Sequence, residues 1–216
     1  MKSCIFSMVL VAFTWATAAN ARTDTRLDTA LRGRYFLVVW GYQGQNNDVV
    51  ESHTFASFYK GEQLAHGKLN PPTISWLPFT GVVHLFGIEK GRNFSLTQTL
   101  GMACRAGRDV EFWGPYEIRP ELYRSGLRRI RLLNSGRVTY SMIDIFPGTM
   151  NCIDAAGDIV PAPLDTGISW GFAASSDIVQ HLSPYFKNGG KTVKALTNLP
   201  FLETCNKSMS IGDARP

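Results

Sequence analysis

The sequence contains no arrangement of residues that indicates a metal centre. Its four cysteines and four histidines form neither a Cys-x-x-Cys nor a His-x-x-x-His spacing, and these are patterns expected of zinc sites. It also contains no internal repeat and no low-complexity run. The formal net charge of +5 is mild and does not argue for nucleic acid. We therefore expect a protein without a metal, a cofactor or a nucleic-acid partner.

Long hydrophobic runs are also scarce, and the clearest one stands at the N-terminus. Lys2 precedes an apolar segment at residues 5–16, and Ala19-Asn20-Ala21 fits the small-x-small rule for signal-peptide cleavage. No segment reaches the roughly 20 apolar residues that a membrane-spanning helix needs. We expect residues 1–21 to be a signal peptide cleaved near Ala21. The mature chain is then exported to the periplasm or the extracellular space, with no transmembrane segment.

The remaining chain is long enough for one domain with a hydrophobic core. No linker divides it, so we expect a single domain over residues 22–205. The last residues, 206–216, are predicted to form a disordered tail. One of the 22 basic residues, Lys2, is lost with the signal, which leaves a net charge of about +4. That balance suits a neutral or acidic surface such as a cell envelope.

Cysteine is rare in the mature chain, and its number is odd. Cys104, Cys152 and Cys205 remain after cleavage, in a compartment where cysteines tend to pair. The simplest arrangement joins Cys104 to Cys205 and leaves Cys152 as an unpaired, reactive thiol. The alternative is that Cys152 is a small buried residue or half of a disulfide.

Strand-forming residues are concentrated in the first half of the chain. The predicted strands cover residues 35–40, 49–59, 63–66, 73–77 and 82–88. They predict an antiparallel meander with His53 near the beginning of its second strand, although a hydrogen-bonded surface histidine is the alternative. A hairpin centred near Gly61 would set His66 opposite His53. Ser75 lies on the next firm strand.

Helical signals dominate the second half. Ser95 and Gln98 form a capping box before a short helix, and Pro120 fits the first position of a long amphipathic helix. Further helices are predicted after Cys152 and over residues 171–182, and a strand over residues 137–145. Residues 101–114 are predicted to be irregular. The predicted fold class is α+β, an antiparallel sheet with packed helices.

Cys152 stands where a Pro-Gly turn gives way to a helix. The positive end of a helix and its unbonded N–H groups favour thiolate over thiol, which would make this sulfur a nucleophile. Asp154 acts in the opposite direction, because a nearby carboxylate raises the pKa of a thiol.

The order of these motifs resembles that of the circularly permuted papain-like superfamily. The resemblance rests on Ser52-His53-Thr54-Phe55 at a strand start, followed by Asn151-Cys152 at a helix start, and it spans most of the domain. This superfamily includes the permuted NlpC-type amidases and peptidases and the lecithin:retinol acyltransferase type. The resemblance implies a papain-like α+β architecture in which the histidine-bearing sheet precedes the nucleophile helix.

The resemblance implies an exported cysteine hydrolase, either an amidase or peptidase or an acyltransferase. Cys152 would attack an amide or ester, such as cell-wall peptide or lipid, and His53 would move the proton. His66 or Ser75 would orient the imidazole, with His84 a weaker third candidate, and backbone N–H groups near Cys152 would form the oxyanion hole. The alternative is a non-catalytic secreted binding domain on the same scaffold.

Overall fold

The computed structural model describes residues 29–44, 46–65, 70–143, 146–164, 169–193 and 209–211. The predicted signal peptide, His66 and Cys205 lie outside these residues. Within them, no helix has both the length and the apolar character needed to cross a membrane.

The described chain contains nine strands. They are β1 (Tyr35–Gln43), β2 (His53–Lys60), β3 (Thr73–Ile74), β4 (Trp76–Pro78), β5 (Gly91–Asn93), β6 (Asp109–Ile118), β7 (Thr139–Tyr140), β8 (Thr149–Met150) and β9 (Met209–Ile211). The main sheet has the order β3-β2-β1-β6-β9, in which β9 is parallel to β6 and the other neighbours are antiparallel. Two small ladders, β4 with β5 and β7 with β8, lie outside it.

Residues 29–31, where the described chain begins, are helical, and five further α-helices are described. They are α1 (Gly61–Ala65), α2 (Leu96–Arg105), α3 (Pro120–Asn134), α4 (Cys152–Gly157) and α5 (Gly171–Leu182). Short 3₁₀ turns occupy Val49–Glu51, Ser183–Tyr185 and Asn188–Gly190. The predicted fold class, an α+β protein with an antiparallel sheet and packed helices, is confirmed at this level.

Strand β1 is the centre of the domain because both of its faces are buried. Leu37 and Val39 face the core shared with α3, α4 and α5, whereas Val38 and Trp40 face the core shared with α2. A strand covered on both sides has no solvent-facing position, which explains its continuous apolar sequence.

The helix boundaries follow local signals. The Ser95–Gln98 capping box starts α2 as predicted, and Pro120 occupies the first turn of α3. Gly126 lets α3 approach the sheet closely, because a Cβ at this position would lie 2.4 Å from Cζ of Phe58. This close approach lets the apolar surfaces of α3 and the sheet pack against each other without water between them.

Several predicted elements are wrong. Residues 63–65 do not form the predicted return strand, since α1 occupies Gly61–Ala65, and the hairpin expected at Gly61 is therefore wrong. Residues 82–88 form a loop, and the predicted strand at 137–145 is reduced to β7 within its described part. Of the segment expected to be a disordered tail, only residues 209–211 are described, and they form β9.

The largest omission is β6, since part of it was predicted to be irregular. Gly114 and Pro115 interrupt its apolar pattern and argue against a strand. In the structure the register between β1 and β6 shifts at this point, from Leu37–Tyr116 to Val39–Trp113, so a bulge accommodates both residues. Pairing with β1 therefore imposes a strand that the local sequence does not indicate.

Candidate functional site

His53 occupies the first position of β2 and is buried, with 1% of its surface exposed. Its ring stacks on Phe55 at a centroid distance of 5.3 Å and packs against Tyr42 at 5.2 Å. The predicted position at a strand start is confirmed, and the alternative of a surface histidine is wrong. Burial, followed by the charge of Arg108, lowers the pKa of His53 to about 3, so the imidazole is neutral at physiological pH.

A chain of hydroxyl groups holds one nitrogen of this imidazole. His53 Nε2 lies 2.9 Å from Ser75 Oγ, which lies 2.7 Å from Thr99 Oγ1, which in turn lies 2.9 Å from the carbonyl oxygen of Ser95. Ser75 and Thr99 are both fully buried. Of the orienting groups considered from sequence, the structure therefore places Ser75 beside His53.

The directions of these hydrogen bonds follow from proton counting. A carbonyl can only accept, so Thr99 donates its single hydroxyl proton to Ser95. Ser75 must then donate to Thr99, which leaves the Ser75 oxygen to accept a proton from His53 Nε2. The neutral imidazole carries one N–H, so His53 Nδ1 is the nitrogen with the free lone pair. Nδ1 is buried and has no hydrogen-bond partner among the described residues.

Cys152 is the first residue of α4, as predicted, and is a free thiol with 7% of its surface exposed. Asn151 caps this helix, because its side-chain oxygen accepts hydrogen bonds from Ile153 N at 2.8 Å and Asp154 N at 2.9 Å. The cap fixes the turn that brings the sulfur to the sheet. The alternative that Cys152 belongs to a disulfide is wrong.

The sulfur of Cys152 lies near the main chain at the start of β2, within the core that α3, α4 and α5 share. It forms no hydrogen bond with His53 Nδ1. The backbone N–H of Thr54, the residue after His53, lies close enough to the sulfur to lower the pKa of the thiol. The N–H of Phe58 points away from β1, toward Pro72, and strand alternation turns the N–H of Thr54 to the same side. Strand β3 ends at Ile74, so this N–H lies beyond the ladder and the sulfur takes the open position.

The electrostatics of the sulfur differ from the expectation for a helix start. Burial raises the pKa of Cys152 to about 11, and the nearby Asp154 acts in the same direction. N–H groups of Thr54, Cys152 and Ile153 lower the pKa, but they do not offset the loss of solvation. The resting pair is therefore a neutral thiol and a neutral imidazole, not a thiolate and an imidazolium.

The predicted oxyanion hole is only partly available. The N–H groups of Ile153 and Asp154 already donate to Asn151, so these two donors at the helix start are occupied. The N–H of Cys152 lies close to its own sulfur. The Cys152 N–H is therefore the main-chain donor of this turn that remains for an oxyanion developing next to the sulfur.

The other candidate residues lie elsewhere. His84 is exposed on the loop between β4 and β5 and bonds Glu89 at 2.9 Å, so it is not part of this site. Cys104 lies near the end of α2 and is disulfide-bonded, with a partner outside the described residues. Among the described residues no group of three metal-ligating side chains occurs.

Three residues of the site were not identified from the sequence. Thr99 fixes the direction of the hydroxyl chain. Tyr42 packs against the imidazole of His53, and the Arg108 guanidinium lies 5.0 Å from the centre of the Tyr42 ring. The one sequence signal near Thr99 is the capping box at Ser95. It predicts the helix that carries Thr99, but not which face of that helix contacts Ser75. In comparisons with protein-family models, curated proteins and solved structures, no match is found for this chain.

Proposed function

We propose that the protein is an exported cysteine hydrolase or acyltransferase with a circularly permuted papain-like architecture. The observations that support it are a free thiol at a helix start, near the main chain of β2, and a buried histidine at the start of that strand with Nε2 held by Ser75. The substrate class is an amide or ester, such as cell-envelope peptide or lipid.

The first chemical step forms an acyl-enzyme. The thiol proton of Cys152 passes to His53 Nδ1 as the sulfur attacks the carbonyl carbon. The N–H of Cys152 stabilises the oxyanion. The bond to the leaving amine or alkoxide then breaks, and this group takes the proton from Nδ1.

The second step releases the acyl group. Water, or the hydroxyl or amine of an acceptor, loses its proton to His53 Nδ1 and attacks the thioester. The thiol of Cys152 leaves and regains that proton. The same geometry thus serves hydrolysis and acyl transfer, and the nature of the acceptor decides between them.

Because both groups are neutral at rest, proton transfer accompanies attack and does not precede it. The dry environment that raises the pKa of Cys152 also keeps the imidazole a free base over the whole physiological range. The proposed proton transfer therefore depends on how Ser75 orients the imidazole, and not on a thiolate–imidazolium pair formed before the substrate binds.

The experiment is acylation by p-nitrophenyl acetate, a small acyl donor, followed by p-nitrophenolate release and peptide mass analysis. The parent protein should carry the acetyl group on Cys152. His53→Gln should slow acylation by about 10²- to 10⁴-fold, the range expected for a lost general base. His84→Gln is the matched control, because it removes an exposed histidine and should leave the rate unchanged.

A non-catalytic binding domain is the second candidate, and the burial of the thiol favours it. In that case the acetyl group would not accumulate on Cys152 and the His53→Gln rate would equal that of the parent protein. Cys152→Ser would then also leave p-nitrophenolate release unchanged. Those results would reject the catalytic proposal.

A further inference from the structure

The loop between β4 and β5 exposes an unusual number of large apolar side chains. We define the apolar hairpin as residues 79–88. Five of its side chains are exposed, with relative accessibilities from 45% to 80%: Phe79, Val82, Leu85, Phe86 and Ile88. Soluble proteins rarely expose so many large apolar groups in one short segment, and such groups mark an interaction surface.

The apolar hairpin has a fixed base. The β4–β5 ladder pairs Pro78 with Gly91, and Phe79 N–H bonds the Lys90 carbonyl at 2.8 Å. Glu89 and Tyr140 exchange two backbone hydrogen bonds of 2.8 Å each, which ties the hairpin to β7. The apolar side chains are therefore presented from a rigid support.

The charges around this base are mainly cationic. Lys90 Nζ lies 5.1 Å and the Arg92 guanidinium 5.6 Å from the centre of the Phe79 ring, and both side chains are exposed. The only carboxylate in residues 79–92 is Glu89, which bonds His84. The hairpin therefore has apolar side chains at its tip and cationic side chains where it joins the β4–β5 ladder. This arrangement matches the interface of an anionic bilayer, where apolar side chains enter the acyl region and cations meet the headgroups.

We propose that the apolar hairpin docks the protein on an anionic lipid bilayer. Phe86, the most exposed of the five side chains at 80%, enters the membrane with Leu85 beside it. Lys90 and Arg92 lie at headgroup level. The hairpin begins four residues after Ser75, so docking would hold the candidate site close to the membrane surface. This surface goes beyond the thiol chemistry and does not depend on it.

The experiment is cosedimentation of the full chain with vesicles. One set contains phosphatidylcholine and phosphatidylglycerol, and the other contains phosphatidylcholine alone. The double variant Leu85→Ser/Phe86→Ser should lower the partition coefficient at least tenfold, because each exposed side chain contributes burial energy on insertion. Lys90→Gln and Arg92→Gln should each lower binding to the anionic vesicles about fivefold.

Matched variants outside the hairpin serve as controls. Leu132→Ser removes an exposed apolar side chain and Arg124→Gln an exposed charge, both on α3, and neither should change partitioning. All variants share the same N-terminal segment, so its own contribution cancels in the comparison. Cys152→Ser should bind like the parent protein, which separates docking from the proposed catalysis.

Three results would overturn the proposal. The first is absence of cosedimentation with anionic vesicles. The second is equal partitioning of the Leu85→Ser/Phe86→Ser variant and its parent. The third is a lipid-free dimer in analytical ultracentrifugation that this double variant converts to monomer, since the apolar hairpin would then be an interface between two copies of this chain.

Discussion

The burial of a neutral histidine predicts a specific loss of stability in acid. In the unfolded chain His53 has an ordinary pKa of 6.5, whereas burial lowers the pKa to about 3 in the folded protein. Between these values the unfolded state binds a proton that the native state does not bind. The free energy of unfolding therefore falls as the pH drops below 6.5, by about 1.4 kcal/mol per pH unit. At pH 4.5 the loss is about 2.7 kcal/mol.

The assay is urea denaturation at pH 7.5 and pH 4.5, followed by tryptophan fluorescence. The parent protein should lose about 2.7 kcal/mol more than His53→Gln between the two conditions, because the variant has no buried imidazole to keep unprotonated. Any constant cost of the substitution cancels, since the pH dependence is compared and not the absolute stability. His84→Gln should keep the full acid loss, because His84 is exposed.

An equal acid loss in the parent protein and His53→Gln would refute the reasoning. It would mean that His53 is protonated in the folded protein, and therefore that its ring reaches water or an anionic partner. The free lone pair assigned to His53 Nδ1 would then lose its basis, because an imidazolium donates from both nitrogens.

Three further predictions test the site and its support. Long-range ¹H–¹⁵N NMR should show the Nε2–H tautomer of His53 in the parent protein, and a parent that is already mixed would contradict the proton count. Thr99→Val should produce a mixture of tautomers, because Ser75 loses the hydroxyl that accepts its proton and can then donate to His53. Asn151→Ala should lower the free energy of unfolding by about 1 kcal/mol in urea denaturation, the usual cost of a lost N-cap, and no loss would show that the two N–H groups find water instead. Gly126→Ala should destabilise by about 1–3 kcal/mol, because its methyl group overlaps the Phe58 ring; a gain in stability, as expected for alanine in an open helix, would show that the ring moves freely.

Much of the fold could be predicted from the sequence. The continuous apolar run of β1, the capping box of α2 and the bounds of α3 and α5 each depend on residues close together in the chain. Such signals act through backbone conformation and side-chain spacing, which a linear sequence contains. The apolar residues at 82–88 show the limit of this information. They favour a strand, but without a neighbouring strand they form an exposed loop.

The candidate site could be predicted only in part. The sequence placed His53 at a strand start and Cys152 at a helix start, because strand patterns and N-caps are local. It could not choose between His66 and Ser75, since that choice depends on where the chain goes after β2. The return strand was expected from a turn at Gly61, but a helix begins there, and its direction is set by packing.

The sequence by itself determined the candidate groups of the site and the elements that carry them. Tertiary structure decided which groups meet and which protons they hold. Ser75 lies 22 positions from His53 and Thr99 lies 24 positions from Ser75, so their hydrogen bonds exist only in the folded sheet and helix. The pKa of Cys152 is raised for the same reason, because the loss of solvation depends on the whole surrounding core and outweighs the local effect of the helix start.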